Sequence, residues 1–205
     1  MARATIPKEP REALLDAADR IFQRFGYKKT TVEEIAAEAG FSRGTVYLHF
    51  RSKEEIALAW ADRLGKDRRA SLDLIAHSPG SPAERLRRML LARVLQSFDR
   101  AQNYAQSLDE LLAALRPALL AQREANHLAE ADLFAQVIRE GQIGQSLRPG
   151  DPGALARLLI LATGSLMPYS LTARQLGKRN EVESAVTGLA DLLLHGLSRE
   201  VEEEG

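Results

Sequence analysis

Apolar residues recur along this chain three and four positions apart, and no sustained two-residue alternation appears, so the pattern predicts helices. Leu14, Leu15, Ala18, Ile21, Phe22 and Phe25 form a first stripe, with Gly26 as its stop. Val32, Ile35, Ala36 and Ala39 form a shorter one ending at Gly40, and Thr31 with Glu34 has the spacing of a capping box. Ser42 suits the cap of a third, short helix in which Val46 and Phe50 share the core face. Ser52 and Glu55 repeat the capping-box spacing and open a long helix through Ile56, Trp60 and Leu64 to about Ala76.

Residues 77–82, HSPGSP, form the clearest break in the chain. Ser81, Pro82 and Glu84 then restart a helix with a cap, a first-position proline and a capping acid. Apolar segments follow near 85–100, 104–115 and 117–140, with Pro117 at a helix start. Gly141, Gly144, Pro149 and Gly150 interrupt again. Asp151 and Pro152 open a helix expected to reach about Thr172, and a final helix is expected over 181–199. The pattern as a whole predicts an all-α fold. A three-helix N-terminal domain, residues 8–52, is linked by the long helix to a C-terminal helical bundle, residues 53–205.

Two short helices joined by a tight glycine-containing turn, with a bracing helix before them, make a helix-turn-helix over about residues 31–50. Its second helix must pack one face and present short polar and cationic side chains on the other to lie in a major groove. Val46 and Phe50 supply the packed face. Arg43, Thr45, Tyr47 and His49 supply the other, and Gly44 leaves no side chain where the backbone would approach DNA. Tyr47 borders Val46 and has a second reading as a core aromatic; His49 has one as a solvated helix residue.

Charge refines this picture. The 205 residues hold 28 basic and 28 acidic side chains, so a uniformly basic nucleic-acid coat is excluded and any DNA contact rests on local placement. Residues 1–53 carry ten Lys and Arg against seven Asp and Glu, a mild local excess. The absence of cysteine excludes disulfides, thiolate zinc sites and thiol redox sensing. His49, His77, His127 and His195 have no metal-ligand spacing, and neither a nucleophile elbow nor a phosphate-binding loop is present. No catalytic residue, metal site or cofactor is therefore expected. No apolar run reaches the length of a membrane span, and the N-terminus lacks a signal-type apolar segment. The expectation is a cytoplasmic protein without a membrane partner, associated with the nucleoid when bound to DNA.

The run TTVEEIAAEAGFSRGTVYLHFRSKEEI, residues 30–56, closely resembles the DNA-binding region of the tetracycline-repressor (TetR) family, and LLDAADRIFQRFG, residues 14–26, is similar to that family's first helix. The match covers about residues 10–60. The resemblance implies that Arg43, Thr45 and His49 read base edges, that Tyr47 and Lys53 contact the DNA backbone, and that Thr31 makes a phosphate contact at a helix start. Lys53 has an alternative as a plain surface lysine. Glu33 departs from the pattern, being an anion where some relatives carry a cation, and its charge would repel a nearby phosphate.

The resemblance also implies a C-terminal domain that binds a small-molecule effector and forms a homodimer on double-stranded operator DNA. In the last helix Ala185, Gly188, Leu189, Leu192 and Gly196 fall on one stripe suited to close helix approach, and Leu158 and Ala162 lie on the helix before it. This stripe is either a dimer interface or an ordinary core. For an effector pocket the candidates are Phe98, Tyr104, His127, Phe134, Met167 and Tyr169, with Pro168 breaking the helix nearby. A pocket so lined suits a hydrophobic or amphipathic molecule. The expected function is a sequence-specific transcriptional repressor released from a palindromic operator by such an effector. An activator or ligand-independent regulator of the same fold is the alternative, and an enzyme or a helical adaptor fits these residues least.

Overall fold

The computed structural model describes residues 9–104, 108–168 and 177–197, and among them every regular element is helical. The order is α1 (Pro10–Phe25), α2 (Val32–Ala39), α3 (Arg43–His49), α4 (Lys53–Ala76), α5 (Pro82–Gln102), α6 (Leu108–Ile143), α7 (Pro152–Ala162), a 3-10 turn (Thr163–Leu166) and α8 (Arg179–His195). No described helix is long and apolar enough to cross a membrane.

The chain divides into two compact units. The first comprises the chain up to Leu64 together with residues 103–119. Its core gathers Leu14, Leu15, Ala18 and Phe22 of α1, Ile35 and Ala36 of α2, Val46 of α3, then Phe50, and Ile56, Ala57 and Trp60 of α4. These α4 residues explain why the unit extends beyond the boundary expected at residue 52: the opening turns of the long helix complete this core. Phe25, expected on the buried stripe of α1, is 47% exposed and lies under the Arg24 guanidinium. It falls at the end of the helix, next to Gly26, where the core face runs out.

Local chemistry sets the turn between α2 and α3. Gly40 takes φ 74° and ψ 25°, the left-handed conformation that favours glycine. With it, the Gly40 N–H bonds Ala37 O and the Phe41 N–H bonds Ala36 O, a Schellman closure that satisfies the last carbonyls of α2. Ser42 then caps α3 by accepting the Thr45 N–H at 3.1 Å.

The second unit holds α4 from Gly65, α5, α6 from Leu120, α7, the 3-10 turn and α8. Leu72, Leu86, Met89, Leu90, Phe134, Ile138, Leu159 and Ala190 are central to its core. Two expected boundaries are revised. Residues 108–115 and 117–140, expected in separate segments, lie in one 36-residue helix, α6, which passes through Pro117; a proline removes one backbone bond, and a helix of about ten turns retains the rest. Helix α7 ends at Ala162 instead of near Thr172. Met167 is extended at φ −82°, ψ 139°, the conformation that a following proline imposes. Residues 169–176 lie outside the described residues.

Candidate nucleic-acid interface

Helix α3 presents one packed and one open face. Val46 is fully buried and Phe50, just beyond the helix, is 2% exposed, whereas Tyr47 is 45% and Leu48 82% exposed. The reading of Tyr47 as a core aromatic is thereby excluded. Arg43 and Gly44 are exposed, while Thr45 and His49 are half-buried. A Cβ on Gly44 would meet only Ser42 Oγ at 3.6 Å, so nothing inside the chain demands glycine there. Its lack of a side chain leaves the outer surface of the helix open to close approach.

Arg43 is held in place. Its Nε pairs with Glu33 Oε1 of α2 at 2.9 Å, its Nη2 donates to the Tyr47 hydroxyl at 3.3 Å, and its guanidinium lies 5.4 Å from the Tyr47 ring centroid. The Tyr47 hydroxyl bond and the Glu33 charge both push the Arg43 pKa up. Glu33 is thus the ion-pair partner of the arginine expected to read bases.

Two expected phosphate contacts have other partners here. The Lys53 ammonium donates to the carbonyls of Tyr27 at 2.8 Å, Lys28 at 3.3 Å and Thr30 at 2.8 Å, and sits 4.5 Å from the Tyr27 ring centroid. An ammonium has three donors, and three carbonyls are on hand. Withdrawal from water pushes its pKa below the usual lysine range, against an opposing pull from Glu34. Thr31 caps α2: its hydroxyl accepts the Glu34 N–H at 3.2 Å, and its own N–H and hydroxyl both donate to the Glu34 carboxylate. Lys53 and Thr31 therefore brace the turn into α2. Lys28, Lys29 and Arg51, which the motif pattern did not single out, are exposed cations flanking that turn and α3.

In the second unit the expected pocket residues do not come together. Phe134 belongs to the main core, Met167 packs with Val94, Leu95 and Val186, and Phe98 is 2% exposed. Tyr104 belongs to the first unit: its ring meets Trp60 edge-on at 5.0 Å, and its hydroxyl donates to Asp19 and accepts from Gln23. Large apolar side chains at helical spacing were filling cores. Tyr169 lies outside the described residues. Among the described residues of the six, His127 lines a cavity of about 390 Å³, whose walls are Leu120, Leu128, Ile160 and Leu161 with Glu124 and Arg157 as further polar groups.

Behind His127 lies a charged cluster that sequence reading missed. Arg93, fully buried, donates from Nε to Glu130 Oε2 at 2.7 Å and from Nη1 to Thr163 Oγ1 at 2.8 Å, and its Nη2 lies 3.2 Å from His127 Nε2. Arg68 Nε donates to the other Glu130 oxygen at 2.7 Å. Burial raises the Glu130 pKa, but the two guanidinium groups outweigh it and hold the carboxyl below its ordinary range. The stripe expected to pair chains is uncovered at Leu158 (58% exposed) and Leu192 (72%), as at Ala185, Gly188 and Gly196, while Ala162 and Leu189 are half-buried. Leu158 and Leu192 are therefore not part of the core of this chain.

A capped pair of short helices, braced by α1 and exposing Arg43, Gly44 and Tyr47, defines a helix-turn-helix DNA-binding protein. Residues 14–60 match the family described as bacterial regulatory proteins, tetR family. The HTH-type transcriptional repressor Rv1474c of Mycobacterium tuberculosis is 30% identical over 175 residues, 76% of this chain and 92% of that protein. A transcriptional regulator from Cytophaga hutchinsonii has the same fold, with a TM-score of 0.78 at 21% identity over 92% of this chain and 98% of that one. So does SmeT, the repressor of the Stenotrophomonas maltophilia multidrug efflux pump SmeDEF, with a TM-score of 0.65 at 24% identity over 93% and 91% of the two chains. SmeT has also been solved in complex with triclosan (TM-score 0.68, 23% identity, 95% and 94% covered). The chain belongs to the tetR family of bacterial regulatory proteins and is a DNA-binding transcriptional regulator.

Proposed function

We propose that the protein is a homodimeric repressor that binds a two-fold symmetric operator through α3 and leaves it when a small hydrophobic or amphipathic molecule occupies the cavity at His127. The observation that carries the DNA part is the open face of α3, bare at Arg43, Gly44 and Tyr47 while Val46 is fully packed. In this reading Arg43, Thr45 and His49 contact base edges, Arg43 being the exposed one of the three and the other two half-buried. Lys28, Lys29 and Arg51 replace Thr31 and Lys53 as the contacts to phosphate, and Tyr47 stands beside them on the backbone.

The first unit carries DNA binding; the second carries the effector cavity and the dimer face. Supporting a dimer are the uncovered Leu158 of α7 and the uncovered Ala185, Gly188 and Leu192 of α8, and two recognition helices about 34–36 Å apart would suit successive major grooves. Supporting an effector are the largely apolar cavity and the triclosan complex of SmeT. Helices α4 and α6 both contribute residues to the two units and are covalent links between the two activities.

Selection of bound sites from random DNA tests the reading: an enriched palindrome is expected. Titration of that duplex with triclosan as the first probe, alongside other apolar compounds, then tests release. A compound that saturates the protein at His127 and leaves operator affinity unchanged would refute the release mechanism while leaving DNA binding intact.

A further inference from the structure

A guanidinium has two hydrogen-bonding edges. One is formed by Nε and one terminal nitrogen, the other by the two terminal nitrogens. On Arg43 the first edge is taken at Nε by Glu33 Oε1 at 2.9 Å, and Nη2 gives one of its two hydrogens to the Tyr47 hydroxyl at 3.3 Å. Among the described residues nothing bonds Nη1. The edge that remains is the terminal one, Nη1 with the second hydrogen of Nη2. Its two parallel donors match the O6 and N7 acceptors of a guanine in the major groove.

We propose that Glu33 is a specificity-determining positioning residue: by holding the Nε edge of Arg43, it presents the terminal edge to a guanine. This rests on the reading that Arg43 contacts a base edge. Glu33 touches no base itself and acts through Arg43. An exposed arginine has many rotamers, and fixing it before contact reduces the ordering that binding requires. The Tyr47 ring, 5.4 Å from the guanidinium carbon, holds the same orientation from a second side. The arrangement also explains how a recognition surface tolerates an anion. Glu33 lies in the first turn of α2, where its charge suits the helix terminus, and its attraction for Arg43 offsets its repulsion of phosphate. Both side chains are more than half exposed, so the pair adds little to folding and its value lies in geometry.

The test uses the full-length protein and the duplex selected from random DNA, together with copies in which each guanine in turn is replaced by adenine or by 7-deazaguanine, which lacks the N7 acceptor. Glu33→Ala removes the carboxylate; Glu33→Asp keeps the charge but withdraws it by one methylene from Nε. Thermal melts confirm that both variants fold. The expected result is that both reduce the preference for the one critical guanine roughly five- to tenfold, a part of what a full bidentate contact supplies. Sensitivity to 7-deazaguanine at that position falls with it. In an Arg43→Ala background neither Glu33 substitution has further effect. Unchanged guanine preference in both variants, with Glu33→Ala merely tightening binding to every duplex, would overturn the proposal and leave Glu33 a bystander charge. If Arg43→Ala itself leaves the preference intact, the base-reading role of Arg43 is what fails, and the positioning role falls with it.

Discussion

At Lys53 a cation that the motif places on the DNA backbone is turned inward, onto the carbonyls of Tyr27, Lys28 and Thr30. The two roles predict different losses. As a brace, Lys53→Met destabilises the chain by about 1–3 kcal/mol, in the range of hydrogen bonds to a charged group, and changes the salt dependence of operator binding little. As a phosphate contact, it would leave stability alone and lower the salt slope by about 0.9 per chain, about 1.8 for the dimer on its operator. Urea denaturation and operator titration across salt concentrations separate the outcomes, and the brace result is expected. The double variant Lys28→Ala, Lys29→Ala should do the opposite, reducing the slope by about 1.8 per chain, about 3.6 for the dimer, with an unchanged melting temperature. A double variant with unaltered slope would remove both lysines from the interface.

Among elements, the tie between α4, α5 and α6 through Glu130 has a defined dependence on pH. Its carboxyl lies below the ordinary range in the folded chain, because Arg68 and Arg93 outweigh its burial. The unfolded state therefore binds the proton more readily. The pair's stabilisation is fully present above the unfolded value, about 4.3, and is lost as pH falls through the depressed folded value. Glu130→Gln should cost roughly 3–5 kcal/mol at neutral pH, since it leaves Arg93 buried without its counter-ion. It should also flatten the acid limb of a stability–pH curve measured by denaturation. An acid limb as steep as that of the parent would show that other carboxylates govern acid unfolding.

For the whole molecule the decisive surface is the row uncovered in a single chain. Leu158 and Leu192 are 58% and 72% exposed, so Leu158→Asp with Leu192→Asp should change the stability of one chain by no more than about 0.5 kcal/mol per site. If this face joins two copies, two buried charges would separate them. Sedimentation should then show a monomer, and binding to the full palindrome should fall to that of one half-site. A variant that stays dimeric and binds normally would assign the interface elsewhere.

Much of the helix-turn-helix was legible in the sequence because its causes act within a few residues. The Thr31–Glu34 box, the left-handed Gly40, the Ser42 cap, and Val46 with Phe50 on one face are short-range devices, and each appears where its residue type requires it. Helical spacing likewise determined the all-α class. What only the tertiary structure decided was which side chains meet across long separations. The cluster that joins Arg68, Arg93, His127, Glu130 and Thr163 draws on three helices and the turn after α7, and no local spacing announces it. The same holds for the pocket, where aromatic residues at helical spacing look alike whether they fill a core or line a cavity; packing put Phe134 and Tyr104 in cores and left His127 at the wall. It holds for charge as well. A lysine or glutamate at a motif position has a known sign but no known partner, and the fold turned Lys53 onto backbone carbonyls and set Glu33 against Arg43.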